Sequence, residues 1–210
     1  MRVLNLYAGI GGNRKFWTDV EVTAVEYNPE IVRAYQDFYP NDTVVVGDAH
    51  QYLIDHFKEF DFIWSSPPCP SHSRLNTASF PKGSRNYEYP DMKLYEEIIF
   101  LKHWFKGKYC IENVIPYYEP LIPAKVLDRH LFWTNFLITP YQLADEKESH
   151  ETSQIPYLQK FLGFNLDPYK LQDKRQILRN CVIPELGLHI FNCAKGILDK
   201  KPHEQKDLFD

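Results

Sequence analysis

The sequence predicts an α/β fold with a mostly parallel sheet, and three observations lead there. Short apolar runs alternate with longer polar-periodic segments through the first two-thirds of the chain. The first apolar run passes straight into glycines. Chemistry-bearing residues then follow one run after another, as they do at the strand ends of an open α/β sheet.

Candidate strands are 3–6, 22–25, 43–46, 61–64 and 109–111. Candidate helices lie near 13–17, 29–38, 52–58 and 91–106, so crossovers between parallel strands are expected to be right-handed. Residues 65–90 are rich in Pro, Ser, Gly and Asn and sit between two elements of the same sheet, which marks a functional loop. The alternation breaks over 137–173, where Pro140, Pro156 and Pro168 fall. An amphipathic helix resumes over 185–198, and the charged tail after Pro202 is expected to fray. The division expected is a catalytic and cofactor-binding domain over 1–135, a small module over 136–174, and a segment 175–210 that returns to the first domain.

The chain has 210 residues, 44% hydrophobic and 25% charged, a globular balance that excludes a disordered tail protein. No run approaches the roughly 20 apolar residues of a membrane span. The N-terminus leads directly into Val3-Leu4-Asn5-Leu6, so no signal peptide and a cytoplasmic location are expected. Cys69, Cys110, Cys181 and Cys193 form no CxxC pair and no zinc pattern, and in a cytosolic chain reduced thiols are expected. The net charge of −4 does not favour a nucleic-acid partner. Local basic groups supply such contacts, however, with candidates at His72/Arg74, Lys82/Arg85, Arg129/His130 and Lys174/Arg175/Arg179. The acidic run 145–151 is expected to face away from phosphates.

Five motifs carry chemistry. Tyr7-Ala8-Gly9-Ile10-Gly11-Gly12 lets a cofactor approach backbone at the end of the first strand. It lacks the G-x-G-x-x-G spacing of a pyrophosphate site, and a purely structural turn is the bland reading. Glu26 follows the second strand, where a carboxylate accepts both hydroxyls of a ribose; alone it reads equally as a solvated glutamate. Asp48 follows the third, placed for an adenine amino group or for an ordinary turn. Together the three point to an adenosine pocket. Ser65-Ser66-Pro67-Pro68-Cys69-Pro70-Ser71-His72-Ser73 follows the fourth strand, and two prolines stiffen the backbone before a cysteine in a polar loop. That favours a reactive thiol over a structural one. Glu112, in Cys110-Ile111-Glu112-Asn113-Val114, follows the fifth strand, where a carboxyl group serves a ring nitrogen or simply ends the strand.

Taken in order, these motifs resemble the DNA cytosine C5-methyltransferase family, compact bacterial or phage type. Residues 7–12 resemble its phenylalanine-alanine-glycine-x-glycine-glycine loop, and Pro67-Pro68-Cys69 its catalytic proline-proline-cysteine. Glu112-Asn113-Val114 is identical to its glutamate-asparagine-valine triplet. Residues 175–184 resemble the late segment that closes its cofactor pocket. The resemblance implies a Rossmann-like S-adenosylmethionine-dependent methyltransferase fold with a reduced target-recognition module over 136–174. It implies methyl transfer from S-adenosyl-L-methionine to C5 of cytosine in double-stranded DNA, with the base flipped out of the helix. Cys69 would add to C6 and Glu112 would bond N3 and the exocyclic amine. Arg129 would meet the flipped base or its phosphate, against a surface salt bridge as the bland reading. For the cofactor it implies Tyr7 on the adenine, the loop Ala8, Gly9, Ile10, Gly11 and Gly12, then Glu26, Asp48 and Pro67, with Asn180 at the amino-acid end. Ser71, His72, Ser73 and Arg74 are read as nucleic-acid contacts of a closing loop, against simple loop solvation. No metal and no membrane partner are expected, and monomer and homodimer both stay open.

The chain also departs from the family. Pro70 stands where most members have glutamine, Arg179 where they have glycine, and the recognition segment is short. Compact members occur as lone methylases or as restriction companions. The alternatives are an RNA (tRNA) cytosine C5-methyltransferase, a catalytically silent nucleic-acid-binding homologue, and an adenosine-cofactor enzyme acting on a small molecule.

Overall fold

A computed structural model describes residues 1–74, 89–141 and 154–197. The Lys82/Arg85 pair, the acidic run 145–151 and the tail after Pro202 lie outside the described residues.

The described chain forms a seven-stranded sheet. The strands are β1 (Arg2–Leu6), β2 (Glu21–Glu26), β3 (Thr43–Val46), β4 (Phe62–Ser65), β5 (Lys108–Val114), β6 (Lys125–Leu127) and β7 (His130–Thr134). Their order is β3-β2-β1-β4-β5-β7-β6. The first five run parallel, and β7 runs antiparallel to both of its neighbours. The fold is thus the mixed α/β, mostly parallel one expected of an S-adenosylmethionine-dependent methyltransferase.

Both faces of the sheet are buried, and strand alternation assigns the side chains. Val3, Val22, Phe62 and Trp64 point to one face, which α6 (Pro184–Ala194) covers with Leu186, Ile190 and Phe191. Leu4, Leu6, Val25 and Ile63 point to the other, beneath α2 (Ala49–His56) and α3 (Lys93–Trp104). Each large apolar side chain fully buried in this way contributes roughly 1.5–3 kcal/mol. Helix α1 (Pro29–Phe38) starts at Asn28, whose side chain accepts from the Glu30 amide, with Pro29 at its first position.

Two expectations change. The segment 13–17 is a run of tight turns, not a helix. The amides of Gly11, Arg14 and Trp17 each bond three residues back. The segment is held from outside its own backbone. Asn13 and Asn5 bond each other through their side chains, Arg14 forks onto Asp42 at 2.9 Å through both Nε and Nη2, and Trp17 Nε1 donates to the Gly187 carbonyl. Helix α6 also passes against it, so a Cβ on Gly187 would lie 2.5 Å from the Asn13 carbonyl oxygen. Strand β5 runs to Val114, beyond the expected 109–111, because β7 pairs with its second half from Cys110 to Val114. The β6–β7 hairpin has no counterpart among the expected strands.

The segment after the sheet continues as α4 (Ile155–Leu162), which ends at Gly163 with φ +67°, and α5 (Lys174–Arg179). Leu162, Phe164, Leu166 and Leu171 share one apolar cluster with Ile10 and Ala34, next to the glycine loop. Lys15 Nζ donates to the carbonyls of Leu162 and, at 2.7 Å, Gly163, and lies 4.5 Å from the centre of the Phe164 ring. A cation therefore sits on the carboxyl end of α4, where the exposed carbonyls concentrate negative charge.

Candidate active site

The strand order reverses between β1 and β4, and an open α/β sheet holds its ligands in the crevice at such a point. Here the crevice widens into a cavity of about 870 Å³, of the size that takes a cofactor together with a reacting group. Of the residues singled out from sequence, Tyr7, Ala8, Gly9, Ile10, Gly12, Glu26, Asp48, Pro67, Cys69, Glu112, Arg129 and Asn180 line it, as do His72, Ser73 and Arg74. Gly11 and Ser71 do not.

The loop after β1 owes its shape to left-handed backbone. Tyr7, Gly9 and Gly11 have φ of +54°, +53° and +80°. A Cβ on Gly11 would lie 2.4 Å from the Tyr39 ring, whose hydroxyl donates to the Gly11 carbonyl, so this glycine packs the loop against α1 and its end. A Cβ on Gly9 would meet open space, and there the backbone borders the cavity. Gly12 packs against residues 181 and 182, with a Cβ placed 2.6 Å from the Val182 carbonyl oxygen and 2.9 Å from the Cys181 side chain. Gly12→Ala is therefore expected to cost roughly 1–3 kcal/mol of stability. Thermal unfolding of that variant checks it, and an unchanged Tm would contradict the close approach.

Glu26 serves the loop before it serves any ligand. Its Oε2 accepts from the Gly9 amide at 3.0 Å and its Oε1 from the Asn28 amide at 2.9 Å. Each oxygen keeps a second lone pair for a hydroxyl. Asp48 Oδ1 caps α2, accepting from the His50 and Gln51 amides. Asn180 ends α5 and its Oδ1 accepts from Gln176 Nε2 at 2.7 Å. The Tyr7 ring borders the cavity while its hydroxyl donates to Glu97 Oε1 at 2.7 Å, so the ring is fixed from its far end.

The loop after β4 is pinned through its backbone. Asn113 Nδ2 donates to the Pro67 carbonyl at 3.0 Å, and the Cys69 carbonyl accepts from the amides of His72 and Ser73. Cys69 is partly exposed at the cavity wall. Burial raises the pKa of its thiol, the Glu112 carboxylate raises it further, and Arg129 opposes both. The resting form is accordingly the thiol, and the nucleophile must be generated by loss of its proton.

Glu112 is 7% exposed on β5. Burial pushes its carboxyl up to about 7, against the Ser66 hydroxyl and Arg129, which pull it down. His130, one residue after the β6–β7 turn, brings Nε2 to 3.6 Å from Glu112 Oε1. Burial, with Arg129 beside it, pushes this imidazole down to about 3, so it is neutral and the contact is not an ion pair. Its Nδ1 is buried without a hydrogen-bond partner among the described residues. Arg129 itself sits in that turn after Asp128, whose φ of +52° suits a two-residue hairpin. Its Nη2 donates to the Arg179 carbonyl at 3.2 Å, joining the hairpin to the end of α5 at the cavity mouth.

The residues read as nucleic-acid contacts divide. His72 does not take the exposed position that a phosphate contact needs. Its ring is 1% exposed, with Nδ1 2.5 Å from the Tyr118 hydroxyl, and burial lowers its pKa. The Ser71 hydroxyl accepts from the Asp91 amide and ties down the start of α3. Ser73 forms a bridge to Pro116, and Arg74 Nε donates to the Pro116 carbonyl at 3.4 Å while bordering the cavity. All four cysteines are free thiols, and Cys110, Cys181 and Cys193 are buried.

Two contributors were not singled out from sequence, Asn113 as anchor of the loop and the buried acid Glu97, while His130, expected with Arg129 as a basic group for nucleic acid, is instead buried and neutral beside Glu112. For Glu97 a signal existed, since it interrupts the apolar stripe Leu94–Ile98–Leu101 on α3. For the place of His130 beside Glu112 there was none, because its neighbour on β5 is fixed by strand pairing alone.

Residues 1–113 match the family model for C-5 cytosine-specific DNA methylase. Among solved structures, the chain is similar to a DNMT2 mutant of Spodoptera frugiperda at 24% identity, with a TM-score of 0.38, over 54% of this chain and 35% of that one. It is similar to TrmN of Thermus thermophilus at 16% identity, with a TM-score of 0.39, over 63% and 42% of the two chains. It is also similar to a conserved hypothetical protein of Streptococcus pyogenes at 15% identity, with a TM-score of 0.40, over 63% and 83%. No curated protein matched the chain.

Proposed function

The chain belongs to the C-5 cytosine-specific DNA methylase family, and on that premise we propose that it methylates C5 of a cytosine flipped out of double-stranded DNA, with S-adenosyl-L-methionine as donor and Cys69 as nucleophile. The observation that carries this reading is the meeting of Cys69 and Glu112 in one cavity with the glycine loop and Glu26.

The residues fit an adenosyl cofactor. Glu26 offers carboxylate lone pairs to ribose hydroxyls, Gly9 leaves its backbone open to the cavity, and Asp48, Pro67 and Asn180 complete the wall. When bound, the cofactor supplies a methyl group on a positively charged sulfur. The chain's own residues make C5 able to take it. Cys69 Sγ, deprotonated, forms a bond to C6, and the electron pair of the C5–C6 double bond is displaced toward C5 and the ring. Glu112 in its protonated form donates to N3 and stabilises that displaced charge, while its other oxygen accepts from the exocyclic amine. After methylation C5 loses its proton to a base, the C5–C6 double bond re-forms and Sγ leaves. Arg129, at the mouth, balances charge at Cys69 and Glu112 and is placed for the base or its phosphate.

A cytosine stacked in a duplex cannot reach this cavity, so the base must leave the helix. Residues 136–174 are proposed as the target-recognition segment, 1–135 as the catalytic and cofactor-binding part, and 175–210 as the return that closes the pocket. Ser73 and Arg74 remain the contacts proposed for the nucleic acid from the loop after β4. Among the described residues no helix is long and apolar enough to cross a membrane.

The test is direct. Purified protein is incubated with the donor and either duplex DNA or tRNA, and the products are read by bisulfite sequencing. Protected cytosines in the DNA, within a defined sequence context, are expected. Protection confined to tRNA would replace DNA by RNA as the substrate, and protection in neither would overturn the activity.

A further inference from the structure

Glu97 is fully buried within the apolar stripe of α3. An acid in such a place is costly unless its oxygens are filled, and three donors fill them. The Tyr7 hydroxyl donates to Oε1 at 2.7 Å, and His50 Nδ1 lies 3.0 Å from the same oxygen. The Ser65 hydroxyl donates to Oε2 at 2.7 Å. The hydrogen bond to Glu97 also raises the pKa of His50, whose Nε2 lies 3.6 Å from Glu96 on the solvent side.

The positions of these donors give the cluster its meaning. Tyr7 opens the glycine loop after β1 and stands there with a left-handed backbone that side chains rarely adopt. His50 lies in the first turn of α2, two residues after Asp48. Ser65 closes β4, immediately before the loop that carries Cys69. One carboxylate from α3 thus grips the start of the cofactor loop, the start of the helix capped by Asp48, and the start of the nucleophile loop. The Tyr7 hydroxyl is itself a departure, since the loop that this chain resembles begins with phenylalanine.

We propose that Glu97 is a positioning residue that braces the cofactor loop through Tyr7 and the nucleophile loop through Ser65, so that donor and Cys69 address the same base. The proposal rests on the methyltransferase reading above. Glu97 touches neither donor nor base and acts through the two hydroxyls. The brace therefore has a signature that mere stabilisation lacks: its two arms fail separately, each in its own measurement, and each is coupled to Glu97.

The measurements are the Kd for S-adenosylmethionine and the single-turnover rate of methyl transfer at saturating donor and DNA. Tyr7→Phe is expected to weaken donor binding about tenfold and Ser65→Ala to slow transfer about tenfold, the scale of a lost hydrogen bond to a charged group. Glu97→Ala should show both effects, and in its background neither hydroxyl deletion should add more than about twofold. Glu97→Gln should restore both, because its oxygen accepts from Tyr7 and His50 while its amide donates to the Ser65 hydroxyl. Normal affinity and rate in folded Glu97→Ala, or full additivity of the hydroxyl deletions on top of it, would overturn the brace. Should Glu97→Ala fail to fold, Glu97→Asp takes its place, since its shorter side chain cannot hold both hydroxyls: loss of affinity or rate that the matching hydroxyl deletion does not deepen upholds the proposal, and normal values or full additivity overturn it. If the wild type methylates neither DNA nor RNA, the reading of the function falls. The donor-affinity series still judges Glu97, and equal affinity in every variant would sink its role.

Discussion

Cys69→Ser abolishes methyl transfer, by on the order of 10³-fold or more, while donor affinity stays within about twofold. The expectation follows from what holds the loop. Its anchors are the Asn113 bond to the Pro67 carbonyl and the amide bonds to the Cys69 carbonyl, and none of them uses the Cys69 side chain. Exchange of sulfur for oxygen leaves that backbone in place. It removes a thiol and substitutes a hydroxyl, which gives up its proton far less readily and is a weaker nucleophile. Transfer of labelled methyl groups to DNA measures the loss, and calorimetry with the donor measures the binding. Turnover near the wild-type value in this variant would end the covalent mechanism.

Glu112→Gln should lower the rate of transfer on the order of 10²-fold or more, because an amide can hydrogen-bond N3 but cannot pass it a proton as charge develops on the ring. At the same time it should make the unliganded protein more stable at neutral pH. The sign comes from burial. Folding raises this carboxyl from 4.5 to about 7, so between those values the folded chain holds a proton that the unfolded chain has released. Stability from this group is undiminished below about pH 4.5, declines as pH rises to about 7, and stays reduced above. The loss amounts to about 3 kcal/mol at most. Glutamine removes it, so Tm measured at pH 8 should rise by several degrees, with little change at pH 4. A lower Tm at pH 8 would show that the carboxylate is better compensated than its burial implies. The wild-type rate should also pass through a maximum with pH. The active form pairs the Cys69 thiolate with protonated Glu112, and Glu112 titrates below the raised thiol, so the acid limb bends near pH 7 and the alkaline limb bends at the higher value of Cys69.

How much of this was legible in the sequence depends on what fixes each element. Strands β1 to β4 are short apolar runs between turn residues, and one residue pattern suffices to find them. The β6–β7 hairpin is hidden because its turn, Asp128-Arg129, contains no glycine, and β6 has three residues. The turns over 13–17 resemble a helix in sequence, and side chains bonded to Asn5, Asp42 and Gly187 override that tendency. In the site, Cys69, Glu112 and the glycine loop announce themselves by residue type and order. His72 does not, since nothing local tells a histidine on a loop from one folded under Tyr118, 46 residues away. Glu97 meets Tyr7 across 90 residues, and only the sheet brings them together.

The grip of Lys15 on the end of α4 ties the turns that follow the glycine loop to the segment proposed for target recognition, so that order imposed on one would be felt by the other. A ligand that stills one of them leaves less disorder to remove from the other, so the second ligand binds at a smaller entropic cost. Such coupling has no direction: whatever factor the donor contributes to the grip on nucleic acid, nucleic acid must return to the donor. The two substrates would then sense each other through one ammonium group that contacts neither.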